Sequence, residues 1–237
     1  MDALLGIDES KVPAHRLSAT LDEAILRRRD FLTAYQDATY AARYLKLVED
    51  TRRREAQNAP DSTALADAVA RNYFKLLAYK DEYEVARLFA DPQFQGSLSA
   101  SFEGDYRLSF HITLPWSRGA NPGDEPKKFR FGPWLLPVMK LLARFKFLRG
   151  TAFNPFGRIA ERRQERELIE DYERTVAHLL DQLDPGNLDA AIALACIPEY
   201  IRGYGPVKER AIVQARAQHQ KAMAAFDQAR ALLTKVA

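Results

Sequence analysis

Hydrophobic positions recur at helical spacing over most of the chain and switch to strict alternation only in its middle. Leu21, Ile25, Phe31, Tyr35, Ala38, Ala42, Leu45 and Val48 predict one helix. It starts at the T-x-x-E capping pattern of Thr20 and Glu23 and runs to about Gln57. Asn58-Ala59-Pro60-Asp61 ends it. Asp61 or Ser62 caps a second helix that carries Leu65, Val69, Tyr73, Leu76, Tyr83 and Leu88. That helix stops at Asp91-Pro92, because proline disfavours helix in the residue before it. Tyr106, Leu108, Phe110, Ile112 and Leu114 then alternate with polar residues, which predicts a half-buried strand. Leu98, Ala100 and Phe102 alternate before it, and Gly104-Asp105 suits a two-residue turn between the two runs. Phe129-Arg130-Phe131 offers a third strand.

After the sheet, Pro133 or Pro137 starts a short apolar helix to about Leu148. Its residues Trp134, Leu135, Leu141, Leu142, Phe145 and Leu148 read as a core-facing stripe. Residues 150–157 form a loop whose two phenylalanines, Phe153 and Phe156, are expected to pack under the next helix, with Asn154-Pro155 as its cap. That long charged helix spans about 158–183 and stops at Asp184-Pro185-Gly186. A short helix, 188–196, precedes a glycine-flanked corner at 202–206, and a last helix runs from Val207 to about Lys235. Gly and Pro concentrate between 91 and 157, with long helices on either side. The predicted fold class is mostly α with a small antiparallel β hairpin or three-stranded meander inserted (α+β). Residues 1–17 read as a tether. Residues 18–237 read as one helical domain with the sheet inserted at about 97–131.

Composition narrows the chemistry. The 237 residues are 47% hydrophobic and 28% charged, so disorder is not the dominant state. A single cysteine, Cys196, supplies neither an internal disulfide, a four-cysteine zinc site nor an iron–sulfur cluster. It lies in an apolar run and reads as a core thiol. The first residues lack a signal pattern, and Trp134–Leu148, at 15 residues with three cations, is too short and charged to span a bilayer. The expected location is therefore cytoplasmic, with no membrane partner. Phosphate-loop, dinucleotide, nucleophile-elbow and H-E-x-x-H patterns are absent. His15, His111, His178 and His219 have no ligand-like spacing.

Charge is uneven. Residues 127–166 hold 11 basic and two acidic side chains, +9, against a net +3 for the chain, so the remainder is −6. Such a segment can face phosphates or an acidic partner. Its aromatics fit a core stripe better than base stacking, so nucleic acid is not the expected partner. The densest polar cluster, 79–87, reads as a solvated helix face in which Lys80 and Glu84 share a side.

Several peptides in order carry a resemblance. AVARNYFKLLAYKDEYEVARLF (68–89), FEGDY (102–106), FGPW (131–134), RGTAFNPFG (149–157), ERRQERELIEDYE (161–173) and IRGYGPVKE (201–209) resemble the C-terminal domain of bacterial indolepyruvate ferredoxin oxidoreductases. The helix with RRRDFLTAYQDATYAARYLKLV (27–48) resembles the segment upstream of it. Asn154 departs from the acidic residue expected there. The resemblance implies a piece of a 2-oxoacid:ferredoxin oxidoreductase, which decarboxylates arylpyruvates. Thiamine diphosphate, magnesium, coenzyme A and iron–sulfur clusters are implied for the complete enzyme, and none of the cofactors for this chain. Neither the cluster cysteines nor the diphosphate motif is present here, so no catalytic, cofactor or metal residue carries over.

The expected partners are the remaining catalytic domains or subunit, with ferredoxin met indirectly. Charged residues next to Gly, Pro or Tyr in the recurring peptides are the candidate docking contacts: Lys80, Glu82, Arg87, Arg149, Arg202 and Lys208. The alternatives are a coenzyme A or substrate lid, and a separate anion- or nucleic-acid-binding module.

Overall fold

The computed structural model describes residues 18–102, 107–113 and 128–236. Nine helices and two strands appear among them, in the order α1 (Leu21–Tyr35), α2 (Ala38–Asn58), α3 (Ala64–Leu77), α4 (Glu82–Ala90), α5 (Pro92–Ser101), β1 (Phe110–Thr113), β2 (Lys128–Phe131), α6 (Leu135–Arg144), α7 (Ala160–Gln182), α8 (Leu188–Ala195) and α9 (Pro206–Val236). The fold class is the mostly helical one with a small inserted antiparallel sheet. The chain divides into two compact units. Unit 1 takes the residues up to Ala24 and Lys80–Arg149; unit 2 takes Ile25–Tyr79 and Gly150–Ala237. Both strands fall within the 97–131 expected for the inserted sheet.

Both long N-terminal helices break where an aspartate caps better than it continues a helix. The expected helix to Gln57 is two helices, because the Asp37 side chain accepts from Tyr40 N at 2.8 Å and starts α2 afresh. The expected helix to Asp91 is likewise two, because Asp81 accepts from Glu84 N at 2.8 Å and starts α4. The T-x-x-E start is present in modified form. Thr20 Oγ1 accepts from Glu23 N at 3.2 Å, while the Glu23 carboxylate reaches back to Ala19 N at 2.8 Å.

Unit 2 packs α2, α3, α7, α8 and α9 around buried tyrosines. Tyr44 stacks on Tyr73 and Tyr73 on Tyr172, with ring centroids 6.1 and 6.0 Å apart. Each hydroxyl has a partner, as burial requires. Tyr44 donates to Ala70 O at 3.2 Å and Tyr172 to Ala195 O at 3.0 Å, while Tyr73 donates to Glu173. Tyr35 and Tyr40 donate to Tyr79 O and Leu77 O and so satisfy carbonyls at and just beyond the end of α3. The start of α3 is held from another helix. The buried Glu55 carboxylate of α2 accepts from Leu65 N, Ala66 N and Ser62 Oγ at 2.8–2.9 Å. The expected cap is present through Ser62, whose Oγ accepts from Ala64 N at 3.2 Å, and Glu55 adds the acceptors that Ser62 does not supply. At the corner before α9, Gly203 has φ +91°, and a Cβ there would lie 2.6 Å from Val207 Cγ1.

Unit 1 places the strands against α4 and α6. β1 pairs antiparallel with β2 in the register Phe110↔Phe131 to Thr113↔Lys128. Phe110 is buried with Ala86, Leu135 and Met139, and Phe89 meets it edge-on at 5.2 Å. His111 points to solvent, as alternation requires. The expected strand at 98–102 is helix α5 instead. Asp91 caps it through Gln93 N, with Pro92 in its first position, and this start signal outweighs the three-residue alternation. The expected turn at Gly104-Asp105 lies outside the described residues. The sheet has two strands among the described residues, so Phe129–Phe131 is the partner of β1 and not a third strand.

Candidate functional site

The six residues expected to form a docking surface fall into two groups, four in unit 1 and two in unit 2. Arg149 is 4% exposed. Its guanidinium grips Asp81 with Nε to Oδ2 at 2.6 Å and Nη2 to Oδ1 at 2.8 Å, and lies 5.7 Å over the Tyr83 ring. A planar, bidentate pair of this kind suits arginine and no other cation. Arg149 is therefore a structural tie, which corrects the expectation of a docking contact. The tie joins the cap of α4 to the end of the 3-10 turn that follows α6, within unit 1. Arg87 pairs with Glu84 through two 2.8 Å bonds, and that carboxylate with burial pushes and pulls on the arginine. The hydrogen bonds to Glu84 prevail and raise the Arg87 pKa. Asp81 and Glu84 are both buried, so the 79–87 cluster is not the solvated face expected, and Lys80 lies outside α4 and shares no helical side with Glu84. Lys80 is exposed and Glu82 half-buried.

In unit 2, Lys208 Nζ lies 2.7 Å from the buried Glu165, which also pairs with Arg162. Arg202 is exposed and its Nε donates to Glu199 O at 2.9 Å. The recurring peptides thus tie to one another inside each unit, 81 to 149 and 165 to 208. Fold accounts for much of the charge that sequence reading assigned to recognition. Arg202, Lys80 and Glu82 keep an outward face.

Other candidates have structural explanations. Cys196 is half-buried, and burial raises its thiol pKa, with Glu199 adding to the rise. Arg43 holds Glu173 through two bonds of 2.6 and 2.7 Å. Burial pushes the Glu173 carboxyl up, but the bonds from Arg43 and Tyr73 prevail and hold it below its ordinary value. His178 Nε2 meets Asp227 at 3.0 Å, and His219 Nε2 meets Thr175 Oγ1 at 2.8 Å. Among the described residues, no group of three or more His, Cys, Asp and Glu side chains is arranged to hold a metal ion. No helix there is long and apolar enough to cross a membrane.

Sequence reading missed the most unusual surface, because it assigned that surface to the core. Trp134 is 60% exposed and Leu141 56%, with Val138 and Phe145 exposed beside them. Spacings of four, three and four residues place these four within about 60° of arc on a helix. The stripe expected to face inward is therefore split. Leu135 and Met139 are buried and Leu142 half-buried, while Trp134, Leu141 and Phe145 face out. The reason is that α6 carries apolar residues on more of its circumference than one small core can cover. Phe147 continues the exposed surface at 61%. Lys140 and Arg144 border the stripe, and both strand cations, Lys128 and Arg130, are exposed. No acidic residue occurs from Lys127 to Ala160. The signal was available in the sequence: apolar positions of α6 lie on two faces.

The loop after Arg149 also differs from expectation. Phe153 is 84% exposed and does not pack under α7. Asn154 does not cap that helix; its Oδ1 accepts from Phe156 N at 3.0 Å, closing a local turn that Gly157 fits closely. No curated protein and no solved structure matches the chain. A family model does match, over residues 21–221, and the chain belongs to that family, described as a family of unknown function (DUF6537).

Proposed function

We propose that this chain is a non-catalytic docking domain of an indolepyruvate-type 2-oxoacid:ferredoxin oxidoreductase, held to the catalytic portion through the outer face of α6. The observation that carries the docking role is the exposed Trp134–Val138–Leu141–Phe145 stripe. Monomeric proteins seldom leave a contiguous apolar patch of this kind to water, and such patches mark interaction sites. A tryptophan and phenylalanines with cations at the rim are the side chains that dominate binding energy at interfaces. The assignment to the oxidoreductase rests on the recurring peptides. The proposed occupant is an acidic, apolar-centred surface of that enzyme's catalytic portion, because the α6 segment offers cations and no carboxylate. Thiamine diphosphate, magnesium and the clusters belong to that portion, and no residue of this chain is proposed to hold them.

Co-purification of this chain with the separately expressed catalytic portion tests the reading. A stable complex is expected, lost when Trp134 and Leu141 are both replaced by Lys and weakened by salt. A complex that survives the double substitution overturns the α6 assignment. So does equal binding of the chain to vesicles of anionic lipid, since the face would then be a membrane contact. Absence of any complex overturns the docking role.

A further inference from the structure

Unit 2 holds a half-open cavity of about 440 Å³ that the docking role does not use. That volume lies within the range of sites for small organic molecules. Leu168, Leu194, Ile201, Ile212 and Met223 give it an apolar wall contributed by α7, α8, the corner after α8, and α9. Leu168 and Met223 are only partly buried, so these two side chains forfeit dispersion contacts on the cavity side unless something fills it.

Polar groups lie along α7 and α9. Thr175 donates its one hydroxyl proton to Asp171 O at 2.9 Å, so towards His219 it can only accept. His219 Nε2 therefore carries a proton, which is committed to Thr175. Burial holds the His219 pKa below its ordinary value, opposed by Asp171, so the ring adds no positive charge at neutral pH. The fixed charges lining the cavity are the guanidiniums of Arg174 and Arg216 and the carboxylate of Asp171. Arg174 pairs with Asp171 along α7. Arg216 has a looser partner, Glu167 at 3.9 Å, and its side chain is 53% exposed. The cavity thus has an apolar interior and one arginine at its mouth whose ion pair is long.

We infer that this cavity binds an apolar organic monoanion, with its hydrocarbon body against Leu168 and Met223 and its anionic group at Arg216. Arginine suits the role because its planar fork meets a carboxylate with two parallel bonds. An exposed, long ion pair with Glu167 is cheap to exchange for a ligand carboxylate.

The full chain is titrated with 8-anilinonaphthalene-1-sulfonate, an aromatic monoanion whose fluorescence rises on apolar burial. One saturable site is expected, with octanoate displacing the probe at about tenfold lower concentration than 1-octanol. Met223→Trp fills the cavity from its half-exposed rim and should abolish binding. Arg216→Glu should weaken octanoate about tenfold and leave 1-octanol unchanged. Thermal melts confirm that each variant folds; if Met223→Trp does not, the surface variant Arg216→Glu still decides. Binding that survives Met223→Trp, octanol competing as well as octanoate, or no binding at all overturns the inference. Loss of binding on replacing Trp134 and Leu141 by Lys, with the cavity intact, also overturns it, because the probe would then report the α6 face. The docking proposal is unaffected by any of these results.

Discussion

Unit 2 packs a row of tyrosines inside, whereas unit 1 buries Tyr83 and Phe110 but leaves Trp134, Phe145 and Phe147 to water. Tyr35, Tyr44, Tyr73 and Tyr172 are buried in unit 2 with every hydroxyl paired. Its exposed rings, Phe153, Tyr200 and Tyr204, are scattered over turns and form no stripe along a helix. In unit 1 the buried cluster is four residues, Ala86, Phe110, Leu135 and Met139, while Trp134, Phe145 and Phe147 face water. A core that small contributes little, so unit 1 depends on other ties. The buried Asp81–Arg149 pair is one of them. The difference separates two uses of apolar side chains: cohesion in unit 2, availability in unit 1.

The largest effect expected follows from the two arginine–carboxylate forks. Asp81 and Arg149 are each 3% exposed at the side chain, whereas Arg43 and Glu173 are 42% and 28% exposed. Removing one member of a buried pair leaves the other charge uncompensated, at a cost of about 3–5 kcal/mol. Arg149→Ala should therefore cost about 3–5 kcal/mol in urea melts, and Arg43→Ala about 1 kcal/mol. Equal losses would show that burial does not distinguish the two units' ion pairs. A near-zero loss for Arg149→Ala would restore that residue as a recognition contact.

Next in size is the ring at the centre of the unit 1 cluster. Phe110→Ala should cost about 3 kcal/mol, the lower end for a buried phenylalanine, because its neighbours Phe89, Leu108 and Ile112 are only partly buried. Trp134→Ala should change stability by less than about 0.5 kcal/mol, as surface substitutions do. Thermal melts of both variants measure the contrast. A large loss for Trp134→Ala would mean that the α6 face is core after all, and the docking proposal would lose its carrying observation.

Unit 2 offers a test of cohesion through polar groups. Glu55→Ala removes the acceptor for Leu65 N, Ala66 N and Ser62 Oγ and leaves buried donors unmade, costing about 1–3 kcal/mol. Hydrogen exchange at Leu65 and Ala66 should accelerate first. If those amides stay protected, the carboxylate is not what holds the start of α3.

Periodicity made the helices and the strand at Phe110 legible, and the Pro-Gly punctuation placed most of the stops. Asp37 and Asp81 were the misread residues. Each sits inside an apolar period that continues through it, and whether an aspartate continues a helix or caps a new one depends on packing that periodicity does not encode. Asp91-Pro92 reads as a stop and ends α4, but it is also the start of α5. For the candidate surface, residue type was informative and its meaning was not. Arg149 beside a glycine looked like recognition, while its partner lies 68 positions away, a distance that no local pattern spans. Trp134 and Leu141 looked like core because apolar spacing is the same whether a face meets the protein's own interior or a partner's.

The smallest effect expected is a pH dependence that belongs to unit 2 alone. Burial lowers the His219 pKa in the folded chain, with Asp171 opposing, while the unfolded chain protonates near the ordinary value of about 6.5. As pH falls through about 6.5, the unfolded state therefore binds a proton before the folded state does, and stability declines. The decline ends once the folded ring also protonates, and above about pH 7.5 both states are neutral and His219 contributes no slope. His219→Gln keeps an N–H to donate to Thr175 but cannot titrate. Urea melts at pH 8 and pH 5.5 should show a loss on acidification in the wild type that is smaller in the variant. Most carboxylates titrate below this window, so they do not mask the comparison. The same loss in both proteins would assign the effect to another group, and a wild type that gains stability on acidification would reverse the sign derived from burial.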